Sequence, residues 1–120
     1  MKTQHDFLRE AWQELSDIRR INTTVPDLWS LLRTEWSDLF ESLMRHRLVM
    51  GAFRYGKLHD KEKPQYNRIK SIYQRLKSYQ KTGNTEMLVD VANLCLMEFE
   101  EGKHSNKHFK ADKIIHVEKL

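Results

Sequence analysis

One apolar stretch near the end of the chain sets the terms for everything before it. Thr82–Gly102 reads T-G-N-T-E-M-L-V-D-V-A-N-L-C-L-M-E-F-E-E-G. Gly83 and Asn84 signal a turn at its start and Gly102 a stop at its end. Between them Met87, Leu88, Val91, Ala92, Leu94, Cys95, Leu96, Met97 and Phe99 make a helix too apolar for a surface position. Such a helix is expected at the centre of a small domain, packed on more than one side. It nevertheless carries Glu86, Asp90 and Asn93 on one stripe at i, i+4 and i+7. A carboxylate among apolar neighbours costs several kcal/mol unless it is paired, hydrogen-bonded or bound to a metal, on the order of the penalty for an unpaired buried charge. What Asp90 is for is therefore the question this sequence poses.

The remainder supplies the helices that would surround this one. Residues 3–20 follow the i, i+3, i+4 pattern with Phe7, Leu8, Ala11, Trp12, Leu15 and Ile18, and Arg19 and Arg20 suit its C-terminal end. After the connector Asn22–Val25, Pro26 fits a first helical position, with Asp27 in the first turn. The periodicity predicts one long helix from there to about Tyr55, stopped by Gly56. Its apolar side is traced by Leu28, Leu32, Trp36, Leu39, Phe40, Leu43, Arg47 and Met50. Beside it runs a polar stripe of Glu35, Asp38, Ser42 and His46, and Glu41 pairs with Arg45 at i+4. A charged loop, Leu58–Pro64, leads to a third helix over about 65–81, with Tyr66, Ile69, Ile72, Tyr73 and Leu76 turned inward. The expectation is an all-α, three- to four-helix bundle over residues 1–102, with its central helix at about 85–101 and a basic tail, 103–120, behind it. Ile114, Ile115 and Val117 in that tail suit a short strand or docking segment.

With 120 residues, 39% hydrophobic, and only four Gly and two Pro, the chain suits one compact domain of long helices. A single cysteine excludes a disulfide framework and points to a cytoplasmic setting, with Cys95 read as a small buried core residue. No secretory leader or membrane span is apparent. The net charge of +4 fits an anionic ligand or partner.

Three constellations carry candidate chemistry. The first is acidic: Glu35 with Asp38, and Glu86 with Asp90, each spaced by about one helical turn. Two such helices packed antiparallel gather carboxylates around one point, an oxygen site for Mg²⁺ or Mn²⁺ that holds phosphate and activates water. Any of these acids is also a plausible solvated edge, and Asn93 reads equally well as a satisfied core amide. The second is basic: Arg47, Arg54, Lys57, Arg68 and Arg75, with Tyr55 and Tyr66 nearby. Arginine forks grip phosphate and tyrosines stack bases, although a solvated face gives the same pattern. The third, His104 and His108 at i, i+4, has metal-binding spacing only if helical. Nucleophile triads, glycine-rich phosphate loops and zinc spacings do not occur, nor does a nucleic-acid-binding motif.

Taken in order, an acidic-edged helix, the R-Y-G of Arg54-Tyr55-Gly56, a charged loop, a basic helix and N-T-E-M-L-V-D-V-A-N-L-C-L-M-E resemble one family. It is the all-α nucleoside triphosphate pyrophosphohydrolase superfamily of the MazG and dimeric dUTPase type, closest to small phage and bacterial versions linked to nucleotide modification. The resemblance spans about Glu35 to Glu98. It implies a Mg²⁺-dependent enzyme that cleaves the α–β bond of a nucleoside triphosphate, as a homodimer or tetramer with sites between subunits. It matches Glu35 and Asp38 to the first acidic pair, and Asp90, with Asn93 one turn on, to the second helix. Arg54, Tyr55 and Arg68 fall where such proteins approach phosphate or base. The first helix carries E-x-x-D where the family has E-x-x-E, and Met87 stands where a second-motif glutamate is expected, one position after Glu86.

The expected function is a Mg-dependent nucleotide (pyro)phosphohydrolase or a nucleotide-binding relative. Its metal ligands are Glu35, Asp38, Glu86 and Asp90; its substrate contacts are Arg54, Tyr55, Lys57, Arg68, Arg75 and Asn93. The alternative is a small helical interaction module, of the phage inhibitor or adaptor kind, setting a basic face against an acidic protein.

Overall fold

The computed structural model describes residues 3–19 and 27–110, which form five α-helices and no strand. They fall into two compact units that divide after Asp38. The side chains of Leu15 and Ile18, residues 20–26 with Pro26, and the segment around Ile114–Val117 lie outside the described residues.

The first unit holds α1 (Gln4–Arg19) and α2 (Leu28–Thr34). A reciprocal cap starts α1: the Thr3 N–H and hydroxyl donate to Asp6 Oδ2 at 2.9 Å, and the Asp6 N–H donates to Thr3 Oγ1 at 3.2 Å. Asp27 is the N-cap of α2, its carboxylate accepting from the Ser30 N–H at 3.1 Å. The long helix expected to run to Tyr55 is two helices. Its first part ends at Glu35, where ψ of 52° leaves the helical range. After Trp36 and Ser37, α3 (Asp38–Tyr55) begins. Serine and aspartate, the residue types at 37 and 38, favour helix starts over interiors, which outweighs a continuous apolar pattern.

The second unit is built from α3, α4 (Arg68–Thr82) and α5 (Glu86–Glu101), which pack as a helical bundle, α4 and α5 forming a hairpin. The central helix expected at about 85–101 is α5. Gly56 ends α3 with φ of 102°, a left-handed conformation that glycine adopts without strain. The helix expected from 65 instead begins at Arg68, because the Asn67 side chain caps it by accepting from the Lys70 N–H at 3.0 Å. Gly83, with φ of 72°, closes it and turns the chain into α5.

The rotation of α4 about its axis differs from the sequence expectation. Ile69, Tyr73 and Leu76 were expected inward but are exposed, as is Tyr66. The half-buried face is the one carrying Arg68, Ser71, Ile72 and Arg75. Charge sets this phase: α5 presents Asp90, Glu98 and Glu101 to α4, and only the arginine face of α4 pairs with them. Apolar burial is correspondingly small. Among the described residues only Val89 and Asn93 are buried, at 4% and 5% exposure. Cys95, expected in the core, is exposed, because it lies about 200° round α5 from Asn93. On α3, Leu39, Leu43, Val49, Met50 and Phe53 face outward.

Candidate functional site

Two ionic clusters hold the hairpin, and they differ in solvent access. At the C-terminal end of α5, Glu101 accepts from Lys63 Nζ at 2.8 Å, from the His59 N–H at 2.9 Å and from Arg68 at 3.1 Å. Glu98 accepts from Arg68 Nε at 3.0 Å. The Lys63, Arg68 and Glu101 side chains are only 12–13% exposed. Desolvation pushes the Glu101 carboxyl up, but the Lys63 hydrogen bond, the His59 N–H and the charges of Lys63 and Arg68 outweigh it and hold the carboxyl below the ordinary glutamate value. This cluster fastens the 56–67 loop to α5. His59, at φ of 66°, takes its left-handed turn where its N–H meets Glu101.

The second cluster lies toward the N-terminal end of α5 and is open to solvent. Arg47 of α3 donates from Nε to Asp90 Oδ1 at 2.8 Å and sits 2.9 Å from Glu86 Oε1. Arg75 of α4 approaches Asp90 Oδ2 at 3.6 Å, an ion pair just beyond hydrogen-bond reach. Arg47, Glu86 and Arg75 are 36–47% exposed. Asp90, at 16%, is the half-buried hub that joins three helices. One turn further along, Asn93 donates from Nδ2 to the Met44 carbonyl at 3.1 Å. Its Oδ1 is buried with no hydrogen-bond partner among the described residues. Burial thus deepens along the stripe from Glu86 to Asp90 to Asn93, which is the stripe the sequence singled out.

The expected site residues are therefore dispersed. Glu86, Asp90, Asn93 and Arg75 come together, joined by Arg47. Arg68 belongs to the other cluster. Glu35 is the C-cap of α2 and Asp38 the first residue of α3, both exposed and both in the first unit. They do not share one continuous helix. Arg54 and Lys57 are exposed at the end of α3, and Tyr55 packs its ring edge-on against Tyr66, centroids 5.9 Å apart. His104 and His108 lie in a turn, not a helix, where both ring Nδ1 atoms engage the Asn106 backbone.

Sequence reasoning missed Lys63, Glu98 and Glu101. The signal was present: acids in the last turn of a helix oppose its dipole and need cations from elsewhere. It placed Arg47 on the apolar side of its helix without a partner. An arginine on an apolar stripe calls for an acid on the facing helix, and Asp90 was the acid in want of a cation.

The donor set bears on the metal that the resemblance implies. Among the described residues no group of three or more His, Cys, Asp or Glu side chains is arranged to hold a metal ion. Glu86, Asp90 and the unpartnered Asn93 Oδ1 are hard oxygen donors on one stripe, and Arg47 and Arg75 balance the two carboxylate charges. Magnesium commonly binds through one or two carboxylates plus substrate phosphates rather than in an all-protein cage. A magnesium ion shared with phosphate, which would screen charge and activate water, would have Glu86 and Asp90 as its protein ligands and would need Arg47 and Arg75 to release them. Two open grooves of about 470 and 490 Å³ lie along α4, one between Lys70, Tyr73 and Lys77, the other between Leu76 and Tyr79 and Leu88 of α5. Compared with protein-family models, curated proteins and solved structures, the chain matches none of them.

Proposed function

We propose that this protein is a Mg²⁺-dependent nucleoside triphosphate (pyro)phosphohydrolase, working through the Arg47–Glu86–Asp90–Arg75 cluster. The observation that carries the proposal is the bridging of Glu86 and Asp90 by Arg47, with Arg75 on the other oxygen of Asp90. The cluster holds both halves of a receptor for a metal–triphosphate complex: carboxylates for the cation and guanidinium forks for the phosphates. Without ligand the two halves neutralise each other. A ligand that carries both charges can replace each internal pair with an external one, so Arg47 exchanges carboxylate for phosphate oxygens without exposing an unpaired ion. Solvent access at Arg47 and Glu86 lets this exchange occur without unfolding. The outward apolar side chains of α3 support the homo-oligomer that the resemblance implies, because a monomer rarely leaves so large an apolar face uncovered.

Thermal unfolding and pyrophosphate release, measured across the common ribo- and deoxyribonucleoside triphosphates with Mg²⁺, Mn²⁺ or EDTA, test this reading. Mg²⁺ alone should change stability little, because arginines already occupy the carboxylates. Mg²⁺ with the right nucleotide at about a hundred times its Kd should stabilise by about 2.7 kcal/mol. Arg47→Met and Asp90→Asn should remove that gain and the release of pyrophosphate. Absence of stabilisation and of release with every nucleotide overturns the proposal. The interaction-module alternative would then stand on α4, where Lys70, Lys77, Ile69 and Tyr73 share the outer side while Arg68 and Arg75 are engaged by α5.

A further inference from the structure

The side of α4 turned away from α5 sorts its charged and apolar groups instead of mixing them. Five residues of α4 are lysine or arginine and none is aspartate or glutamate. Two of the five, Arg68 and Arg75, are taken up by α5 carboxylates. The other three, Lys70, Lys77 and Lys81, are exposed and form no ion pair among the described residues. Wound at about 100° per residue, these lysines fall within about 40° of one another. Ile69, Tyr73 and Leu76 fall within about 60° of one another on the strip beside them. They are 50%, 65% and 37% exposed, so the packing of α4 on α5 leaves them uncovered. A helix whose only task was to face water would intersperse acids with these lysines at i+4.

The apolar strip has the spacing of a helix-pairing seam. Ile69, Tyr73, Leu76 and the exposed Gln80 follow at i, i+4, i+7 and i+11. The two grooves along α4 share Tyr73 and Lys77 in their walls, so the depression is continuous along the strip. From Ile69 to Gln80 is about 16 Å along the axis, the length of about three helical turns. The lysines border the strip on one flank only. On its other flank the groove is closed by Tyr79 and by Leu88 of α5. A polynucleotide or a lipid surface would use the lysines but would need no apolar strip at seam spacing. A helix with an apolar stripe and carboxylates along one edge uses both.

We propose that this face of α4 is a docking surface for an acidic amphipathic helix of a partner protein. Apolar side chains of that helix pack on Ile69, Tyr73 and Leu76, and its carboxylates meet Lys70, Lys77 and Lys81. Arg75, which belongs to the Arg47 cluster, lies about 120–160° round α4 from these lysines. The docking surface is therefore separate from that cluster and does not depend on the nucleotide reading.

The experiment uses a fluorescein-labelled synthetic helix of three heptads, with leucine on its seam and glutamate along one flank, and a second peptide with lysine in place of glutamate. Anisotropy titrations compare the full chain with the double variant Lys70→Glu/Lys77→Glu and with Tyr73→Ser. Wild type should bind the glutamate peptide at least about tenfold more tightly than the lysine peptide, and the double variant should reverse that preference. Tyr73→Ser should weaken the glutamate peptide by about tenfold, the scale of a lost aromatic anchor. Both variants should keep the wild-type melting temperature, because the replaced side chains are exposed. Binding of the glutamate peptide that survives the double variant overturns the inference, as do equal binding of the two peptides by wild type and absence of binding up to about millimolar peptide. Tighter binding of single-stranded oligothymidylate or of phosphatidylserine vesicles than of the glutamate peptide, at the same ionic strength, overturns it in favour of that occupant.

Discussion

Replacing Glu101 by glutamine tests the claim that charge, more than apolar burial, fastens the loop and α4 to α5. The substitution keeps shape and one acceptor oxygen but removes the charge that meets Lys63, Arg68 and the His59 N–H. Hydrogen bonds to charged groups contribute about 1.5–3 kcal/mol each. The three do not add, because Lys63 keeps the Lys57 carbonyl at 3.0 Å and Arg68 keeps Glu98. With the side chains of Lys63, Arg68 and Glu101 only 12–13% exposed, screening by solvent is modest. A loss of about 2–3 kcal/mol follows, which is about 10–20 °C in melting temperature for a small domain. Linkage adds a second signature. The folded Glu101 carboxyl titrates below its unfolded value, so its contribution is fully present above the ordinary glutamate pKa and is lost as pH falls through the folded pKa. Glutamine does not titrate, so the gap between wild type and variant should be widest at neutral pH and close progressively below about pH 4.5. Far-UV circular dichroism melts from pH 7 downward measure this. Glu41→Gln, at a pair where Arg45 is 77% exposed, serves as a control expected to lie within about 0.5 kcal/mol of wild type. A Glu101→Gln melting temperature within the control's range, or a gap independent of pH, refutes the reasoning.

Gly56→Ala should cost about 1–2 kcal/mol, since alanine resists φ of 102° and its methyl would sit 3.1 Å from Lys63 Cβ; an unchanged denaturant midpoint would show that the loop yields instead. Asn67→Ala should cost about 1 kcal/mol through loss of the α4 cap, and Asn67→Gly only a few tenths; equal effects of the two in urea titrations would mean that the cap contributes little.

The legible parts of this fold were those decided locally. The Gly83–Asn84 turn, the span of α5, the stop at Gly56 and the Glu41–Arg45 pair all follow from a few neighbouring residues, and the structure contains each of them. The phase of α4 was not legible, because its apolar and arginine faces compete and the outcome depends on acids presented by another helix. The break at Trp36 and Ser37 was obscured by an apolar period that continues across it. In the candidate site, the stripe Glu86–Asp90–Asn93 was legible from spacing alone. Arg47 as its partner was not, since the contact joins residues 43 positions apart. Cys95 was misread because an apolar sequence was taken to mean burial on all sides, whereas this unit covers only part of α5.

The contrast between the two clusters bears on the question that Asp90 poses. Both use the same chemistry, α5 carboxylates held by arginines from neighbouring helices. At Glu101 the partners are withdrawn from water and come from the loop as well as from α4, so removing one leaves a largely buried charge with fewer partners. At Asp90 the partners are single side chains reaching in from α3 and α4 with a third or more of their surface in solvent. Water or a charged ligand can compete for them at modest cost. If Asp90 were only a structural lock, a design like that at Glu101 would serve better. The Asp90 cluster also joins three helices, but its solvent-exposed arginines suit it better than the Glu101 cluster to exchanging ion pairs with a ligand. On this argument Asp90→Asn should cost less stability than Glu101→Gln, because Arg47 and Arg75 can turn to solvent, while removing the response to nucleotide. A loss of stability in Asp90→Asn as large as that in Glu101→Gln, with the response to nucleotide retained, would return Asp90 to a purely structural role.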